Sequence, residues 1–154
     1  GFGLCVDGRP LRGKHGNAGH AGHTFVSDND DALCGCGNVG DLEGLVAGNA
    51  IERRFGRPAA VLFAAAASGE AQALTQVDDL CRVMGRALYN LTVTLDLQRI
   101  AIGGSVFLHH QDLLLPRLRA QSAGRLPALT GGCDIVPAGL GARVGDDAAL
   151  ALLD

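Results

Sequence analysis

Apolar residues recur every three or four positions between Gly69 and about Leu95, and this is the clearest periodic pattern in the chain. The stripe consists of Leu74, Val77, Cys81, Met84, Leu88, Leu91 and Leu95. Such spacing is that of one face of an α-helix. Ser68 is a favoured N-cap residue, and Glu70 suits the positive end of the helix dipole. The sequence therefore predicts a long amphipathic helix that must bury one face against neighbouring elements.

Short apolar strands alternate with helices after this segment. RIAI, followed by Gly103 and Gly104, predicts a buried strand, and a helix from about His110 to Gln121 should be interrupted or bent at Pro116. A second strand, CDIV, precedes a closing helix in DDAALALL. The alternation predicts an α/β fold whose short strands are covered on both faces. With 154 residues, of which 47% are hydrophobic and 4% aromatic, the chain is long enough for one domain with an aliphatic core.

The part of the chain before residue 56 combines a turn, a loop and a helix. Asp7-Gly8, flanked by apolar residues, favours a β-hairpin with a type I′ turn. The segment 13–40 is rich in glycine and contains the acidic run SDNDD, which is a loop composition. Apolar residues then recur at helical spacing, and they predict a helix from Asp41 to Phe55.

Charge and hydropathy exclude two classes of partner. A net charge of −3 and a pI near 5.9 provide no basic stripe of the kind that nucleic-acid binding requires. The longest apolar run, Ala59 to Ala67, is well short of the roughly 20 residues of a transmembrane helix. The first residues carry no signal peptide, so we expect a cytoplasmic location without membrane contact. The missing starting Met leads us to expect that an upstream segment has been removed.

The five cysteines form an odd set without the spacing of a disulfide framework, so we expect them to be reduced. Those that lie in apolar runs, and are predicted to be core residues, are Cys5, Cys81 and Cys133. Cys34 and Cys36 differ because they follow His23 within the glycine-rich loop. Imidazole and thiolate groups are preferred ligands of zinc. On spacing alone, a zinc site and a loop with two incidental thiols and a surface histidine both remain open.

The block HTFVSDNDDALCGCGNVGDLE resembles the signature of the ROK family, in which a histidine is followed about ten residues later by C-x-C-G-x-x-G-C-x-E. VDGRPLRG and GNAGHAGH resemble the family segment that ends in G-E-x-G-H. GRALYNLTVTLDLQRIAIGGSV resembles its long helix and G-G-x-V strand end, and VGDDAALALL its closing helix. The resemblance implies that residues 1–154 are the C-terminal lobe of a ribonuclease H-like, actin/hexokinase-type sugar kinase. That lobe would have a mixed sheet flanked by helices, a sugar and zinc loop at 13–43, and a nucleotide-side core at 69–154.

By the same resemblance, His20, His23 and Glu43 would contact the sugar hydroxyls. His20 stands where most members carry Glu. In having a histidine at this position, the chain resembles bacterial kinases that act on N-acetylmannosamine. His23 could ligate zinc through one ring nitrogen and contact the sugar through the other. Without the resemblance, Glu43 would be interpreted as a solvated charge in the first turn of a helix.

The resemblance also implies a zinc site formed by His23, Cys34 and Cys36, with Asp41 in place of the family's third cysteine. A carboxylate can ligate zinc. Asp41 also lies where the next helix begins, and Asp is a favoured N-cap. An Asp that binds the first amides of the helix should have little freedom to reach a metal ion.

ATP with Mg²⁺ is the implied cofactor, and two glycine pairs are its expected contacts. Gly1 and Gly3 resemble the end of the family's phosphate loop, although Phe2 stands where the family usually has glycine. Gly103 and Gly104 would let adenosine lie against bare backbone at the carboxyl end of a strand. Taken alone, two glycines after a strand are also the mark of a plain turn.

The implied activity is phosphorylation of the 6-hydroxyl of N-acetylmannosamine by ATP. The family's catalytic Asp and its D-x-G-x-T phosphate motif belong to an N-terminal lobe and do not occur in this sequence. The acidic residues that match no such motif are Asp28, Asp30, Asp31, Asp78 and Asp79. We therefore expect this chain alone to be inactive without that lobe, and to form homodimers as ROK proteins commonly do. The alternatives are the sugar-sensing domain of a ROK-type repressor and another hexose kinase such as glucokinase.

Overall fold

The structure, a computed structural model, describes residues 1–28 and 32–143, and it divides the chain into two units, Gly1–Pro58 and Ala59–Asp154. The predicted sugar and zinc loop lies in the first unit, and the predicted nucleotide-side core lies in the second. The closing helix predicted in DDAALALL lies outside the described residues. Within the described ranges, no helix is long and apolar enough to cross a lipid bilayer.

The first unit begins with the hairpin that the sequence predicts. Strand β1 (Cys5–Val6) pairs antiparallel with β2 (Arg9–Pro10). Asp7 and Gly8 have φ values of 50° and 75°, as a type I′ turn requires. The prediction of Cys5 as a core residue is wrong, because both strands of this short hairpin are exposed and Cys5 is exposed with them.

Two short helices replace the single helix predicted from Asp41 to Phe55. Helix α1 spans Leu42–Val46 and α2 spans Gly48–Phe55. The break lies at Ala47, whose extended backbone (φ −65°, ψ 154°) closes α1 with its amide and starts α2 with its carbonyl. The buried apolar residues of the pair are Leu42, Leu45, Ala50 and Ile51. They anchor both helices in the first unit.

The second unit is mainly helical. Its elements in chain order are α3 (Ala59–Ala67), α4 (Ala71–Leu95), β3 (Arg99–Ile102), α5 (Ser105–His109), α6 (Gln111–Ser122), α7 (Pro127–Thr130) and β4 (Asp134–Pro137). The long predicted helix is confirmed as α4, but its N-cap is Glu70. Ser68 instead continues the last turn of α3, since its amide bonds to the carbonyl of Ala64. Gly69 then turns the chain with φ +90°.

Helix α4 packs against both α3 and α6. The core of this unit is formed by Leu62, Phe63, Val77, Leu80, Cys81, Leu88, Phe107, Leu114 and Leu118. Helix α6 approaches α4 closely at Gly85, because a Cβ atom there would overlap the Cβ of Gln121. Helix α6 runs through Pro116 as one element, so of the two predicted effects of that proline, an interruption or a bend, the interruption does not occur.

Strands β3 and β4 pair in parallel, with Ile100 opposite Ile135. The α/β class is confirmed, but the described residues form two separate two-stranded sheets and not the predicted mixed sheet. The expected cover on both faces is also absent over β3, where Arg99 and Ala101 are exposed. Cys133, which precedes β4, is half-buried and not a core residue.

Candidate metal and sugar site

Asp41, which directly follows the glycine-rich loop, is buried with an exposure of 2%. Its Oδ1 accepts a hydrogen bond of 2.8 Å from the amide of Gly44 and so caps α1. Its Oδ2 points the other way, 3.2 Å from His23 Nδ1 and 3.5 Å from Cys36 Sγ. Capping of the helix through Oδ1 therefore leaves Oδ2 beside the other candidate ligands. A carboxylate has two oxygens, and each faces a different set of partners.

Four candidate ligand atoms converge at this point. The Nδ1 atom of His23, the two thiol sulfurs and a carboxylate oxygen of Asp41 all lie within 4.8 Å of one another. Cys34 Sγ is 3.7 Å from His23 Nδ1. Ligands of a tetrahedral zinc ion, bound at about 2.0–2.3 Å, lie about 3.3–3.8 Å from each other. The three pairs at 3.2, 3.5 and 3.7 Å fall at or just below this range, while the group as a whole spans up to 4.8 Å. The four residues could therefore hold a tetrahedral ion once the wider pairs close.

The electrostatics of the cluster favour a divalent cation. Burial would raise the pKa of Asp41, but hydrogen bonds from Gly44, Cys34, His23 and Cys36 together lower it, so the carboxylate is charged. The largest effect on Cys34, a bond from the Cys36 backbone amide, lowers its pKa. Burial and the neighbouring Asp41 and Cys36 outweigh that bond and raise the pKa of Cys34 to about 12. A metal ion would displace this proton and compensate the negative charge.

Of the three residues expected to contact sugar, His23 belongs to the cluster, and His20 and Glu43 lie beside it. The rings of His20 and His23 stack with their centroids 5.9 Å apart. The thiol of Cys34 donates to Glu43 Oε1 at 3.6 Å. All three polar side chains are exposed, and Glu43 lies in the first turn of α1. Because Nδ1 of His23 faces the cluster, its Nε2 is the ring nitrogen left for a ligand.

Several backbone contacts fix the thiol loop, residues 32–40, both internally and against α1. The Cys34 amide donates to the Asn38 carbonyl at 2.8 Å, and the Gly40 amide donates to the Ala32 carbonyl at 3.0 Å. Gly44 packs so closely that a Cβ atom there would overlap the Ala32 carbonyl oxygen. These contacts hold the thiols in place, which is a condition for a preorganised site.

Arg53, on α2, is a residue of this site that the sequence did not indicate. Its guanidinium donates to the carbonyl of Leu33 at 2.6 Å and to that of Gly44 at 3.4 Å. It thereby joins α2 to both the thiol loop and α1. An arginine near the end of a helix is favourable with the helix dipole, so nothing in the sequence marks this one as a brace.

The two glycine pairs expected to contact ATP lie in different units. Gly1 and Gly3 are exposed, and a Cβ atom at either would meet no neighbour. Gly103 and Gly104 follow β3 directly, and Gly104 has φ +93°. They therefore lie at the carboxyl end of the parallel pair, the end at which α/β folds bind ligands.

The acidic residues of the long helix have structural partners. Asp78 accepts a hydrogen bond of 2.8 Å from Arg117, and Asp79 pairs with Arg82 within the same helix. Both aspartates therefore have an arginine partner. Asp28 is exposed, whereas Asp30 and Asp31 lie outside the described residues.

Comparison with known proteins identifies relatives of two kinds. The chain is 39% identical to the N-acetylmannosamine kinase of Citrobacter koseri over 111 residues, which cover 69% of this chain and 38% of that protein. The fold is similar to a ROK family glucokinase from Streptomyces griseus in complex with glucose and AMPPNP, with a TM-score of 0.77, 26% identity, and coverage of 97% of this chain and 55% of the other. It is also similar to a ROK family transcriptional regulator described as a homolog of the E. coli MLC protein. That match has a TM-score of 0.72 and 29% identity, and covers 88% of this chain and 38% of the other.

The profile of the ROK family matches residues 1–153. The match includes the loop with the four candidate ligands, the long helix and the strand before Gly103. It therefore extends over both units of the chain. The chain belongs to the ROK family.

Proposed function

We propose that this chain is the C-terminal lobe of an ATP-dependent amino-sugar kinase that phosphorylates the 6-hydroxyl of N-acetylmannosamine. The observation that carries the proposal is the array of His20, His23 and Glu43 at a cluster that could hold a metal ion. Two imidazoles and a carboxylate offer both donors and acceptors to sugar hydroxyls. The curated relative named N-acetylmannosamine kinase supports this choice of sugar.

In this proposal, each group of the array has its own task. Zinc, held by His23, Cys34, Cys36 and Asp41, would supply the rigidity of the loop. Nε2 of His23 and the ring of His20 bind the hydroxyl or acetamido groups of the sugar. Glu43 accepts a hydrogen bond from a second hydroxyl. Positioning of this kind is the main protein contribution to phosphoryl transfer.

The nucleotide is proposed to contact Gly1, Gly3, Gly103 and Gly104, with Mg²⁺ on its phosphates. A base for the sugar hydroxyl and the D-x-G-x-T motif would come from an N-terminal lobe of the complete enzyme. On this basis the chain alone binds ligands but transfers no phosphate. The complete enzyme would be cytoplasmic, since the cytoplasm is where ATP is available. We also propose that it forms a homodimer, as the resemblance to the family implies.

Calorimetric titration of the zinc-loaded chain with N-acetylmannosamine tests the proposal. We expect saturable binding, weaker binding of N-acetylglucosamine and glucose, and at least a tenfold loss of affinity in Glu43→Gln. His15→Ala is the matched control, because His15 is an exposed histidine of the same loop that the proposal does not use. No heat of binding with the amino sugars, or equal affinity in Glu43→Gln, would overturn the assignment.

A second candidate is the sugar-sensing domain of a ROK-type repressor, which the similarity to a ROK transcriptional regulator favours. Sugar binding alone does not separate the two functions. The sequence upstream of the chain does: a helix-turn-helix would establish the repressor, and D-x-G-x-T would establish the kinase. Preference for glucose in the titration would instead favour a glucokinase.

A further inference from the structure

We propose that Asp41 couples metal binding to the order of helix α1, so that the metal ion positions Glu43 for the sugar. One carboxylate serves as fourth ligand through Oδ2 and as helix cap through Oδ1. The sugar part of this inference rests on the proposed role of Glu43. The coupling of metal and helix does not rest on it.

The geometry of Asp41 makes the two tasks compatible. Oδ1 is 2.8 Å from the Gly44 amide, while Oδ2 faces His23 and Cys36 at 3.2 and 3.5 Å. The side chain is 2% exposed, so water is a poor substitute for either partner. A metal ion bound at Oδ2 would fix the orientation of the carboxylate plane. The same orientation is the one in which Oδ1 meets the amide of the helix.

Helix α1 depends on such outside support because it has five residues. Helices this short are not stable by themselves in water. Its first amide, that of Leu42, donates to the Thr24 carbonyl at 3.0 Å, and its third, that of Gly44, donates to Asp41. Losing the Asp41 contact would leave the buried amide of Gly44 without its partner, which destabilises the helix.

Glu43 is the residue through which this order would reach the sugar. It lies between Leu42 and Gly44, both buried, and its own side chain is exposed beside the thiol of Cys34. Its direction is therefore set by the backbone of α1. A thiolate, which the family usually has at position 41, offers one ligand atom. A carboxylate offers two oxygens. In this chain Oδ2 faces the candidate metal ligands, and Oδ1 caps helix α1.

Hydrogen exchange of individual amides, followed by NMR, tests the coupling without any activity measurement. We expect the Gly44 amide of the intact chain to exchange at least tenfold faster after Zn²⁺ is removed with a chelator. The Ile51 amide of α2, which bonds to the Ala47 carbonyl, is the internal control and should change less than twofold. Equal Gly44 exchange with and without Zn²⁺ would overturn the proposal. An equal acceleration at Ile51 would overturn it too, because it would mean unfolding of the whole unit.

Two variants separate the two oxygens of Asp41. Asp41→Asn keeps an oxygen that can cap the helix but is a poor metal ligand. We expect it to bind Zn²⁺ at least tenfold more weakly and to show Gly44 exchange that no longer depends on the metal. Asp41→Cys restores a thiolate ligand, and should bind Zn²⁺ with Gly44 exchanging faster than in the zinc-loaded parent. Unchanged Zn²⁺ affinity in Asp41→Asn would show that Oδ2 is not a ligand.

Titration with N-acetylmannosamine, with and without Zn²⁺, then separates this inference from the proposed function. Sugar binding that weakens at least tenfold without metal supports the inferred link from the metal ion through Asp41 and α1 to Glu43. Metal-dependent exchange at Gly44 without any sugar binding would overturn the proposed function and leave the role of Asp41 intact. Sugar binding that is independent of Zn²⁺ would overturn the link through Glu43.

Discussion

The guanidinium of Arg53 donates a hydrogen bond of 2.6 Å to the backbone carbonyl of Leu33, the residue directly before Cys34. The contact spans 20 residues of sequence and joins α2 to the thiol loop. It therefore restricts the position of the first thiol from outside the cluster. In a site whose ligands come from a loop rich in glycine, a brace of this kind decides how well the ligands are preorganised.

Replacing Arg53 with Met should weaken metal binding. The variant keeps the aliphatic stem but loses the bonds to Leu33 and Gly44, and we expect at least a threefold rise in the Kd for Zn²⁺, measured by chelator competition. Stability should fall by about 1 kcal/mol, as for a typical hydrogen bond. Arg82→Met is the control, because Arg82 pairs with Asp79 within α4 of the second unit. The same Kd change in both variants would contradict the role of Arg53.

Removing one thiol should abolish stoichiometric zinc. Cys36→Ser leaves three ligands, and we expect the zinc content of the purified chain to fall from about one per chain to near zero after dialysis against a weak chelator. Cys5→Ser is the control, since Cys5 is an exposed thiol of the hairpin, and it should keep its zinc. Near-zero zinc in the parent chain itself would refute the metal site.

The identity of residue 20 should tune the choice of sugar. His20→Glu restores the residue that resembles most of the family, and we expect N-acetylmannosamine affinity to fall at least tenfold while glucose affinity rises. The change also removes the ring that stacks on His23. Calorimetric titration with both sugars measures the ratio of affinities. A ratio that equals that of the parent chain would show that position 20 does not select the sugar.

Gly85 should not tolerate a side chain. Gly85→Ala improves helix propensity by about 1 kcal/mol, but its Cβ would overlap that of Gln121 and push α6 away from α4. Overpacking of this kind costs about 1–3 kcal/mol, so we expect net destabilisation in urea unfolding. Gly48→Ala is the matched control, because a Cβ there meets no neighbour. A Gly85→Ala variant as stable as the control would disprove the close approach.

Acidification should destabilise the second unit through His110. This ring stacks on Phe63 at 4.9 Å, and burial, followed by the charge of His109, lowers its pKa below the ordinary value of about 6.5. The unfolded chain then binds the proton at higher pH than the folded chain does. The stabilisation that the neutral His110 ring provides is complete above the ordinary pKa of histidine. It is lost as the pH falls from there towards the pKa of His110 in the folded chain.

His110→Phe keeps an aromatic ring on Phe63 and removes the titrating group. We expect its free energy of unfolding to fall less than that of the parent between pH 7.5 and 5.5, measured in urea. His15→Phe, at an exposed loop position, should follow the parent chain. Parallel curves for the parent and His110→Phe would contradict the prediction.

Elements with a strong local signal were predictable from the sequence. The type I′ turn at Asp7-Gly8 and the stripe of α4 depend on neighbouring residues, and both are confirmed. Helix α3 was missed because Ala59–Ala67 is apolar on all sides and shows no periodicity. The break at Ala47 gave no signal either, since Ala is the best helix former and the break depends on contacts of both helices.

The candidate site likewise has features that could be predicted from the sequence and features that could not. His20, His23, Cys34, Cys36, Asp41 and Glu43 lie within one segment of the family signature, and the structure brings them together. Their roles as ligands and sugar contacts stay predictions. The double contact of Asp41 was not predictable, because a sequence cannot tell which oxygen of a carboxylate faces which partner. Arg53 was missed because its acceptors are backbone carbonyls, which no residue type identifies.

The exposure of Cys5 on its short hairpin has a practical consequence. A thiol that ligates zinc reacts slowly with alkylating agents, whereas a solvent-facing thiol reacts at once. Mass spectrometry after brief alkylation should therefore find Cys5 labelled with or without the metal, and Cys34 and Cys36 labelled only once the metal is stripped. The extent of labelling at Cys5 thus provides an internal reference for determining the fraction of molecules in a preparation that carry the ion.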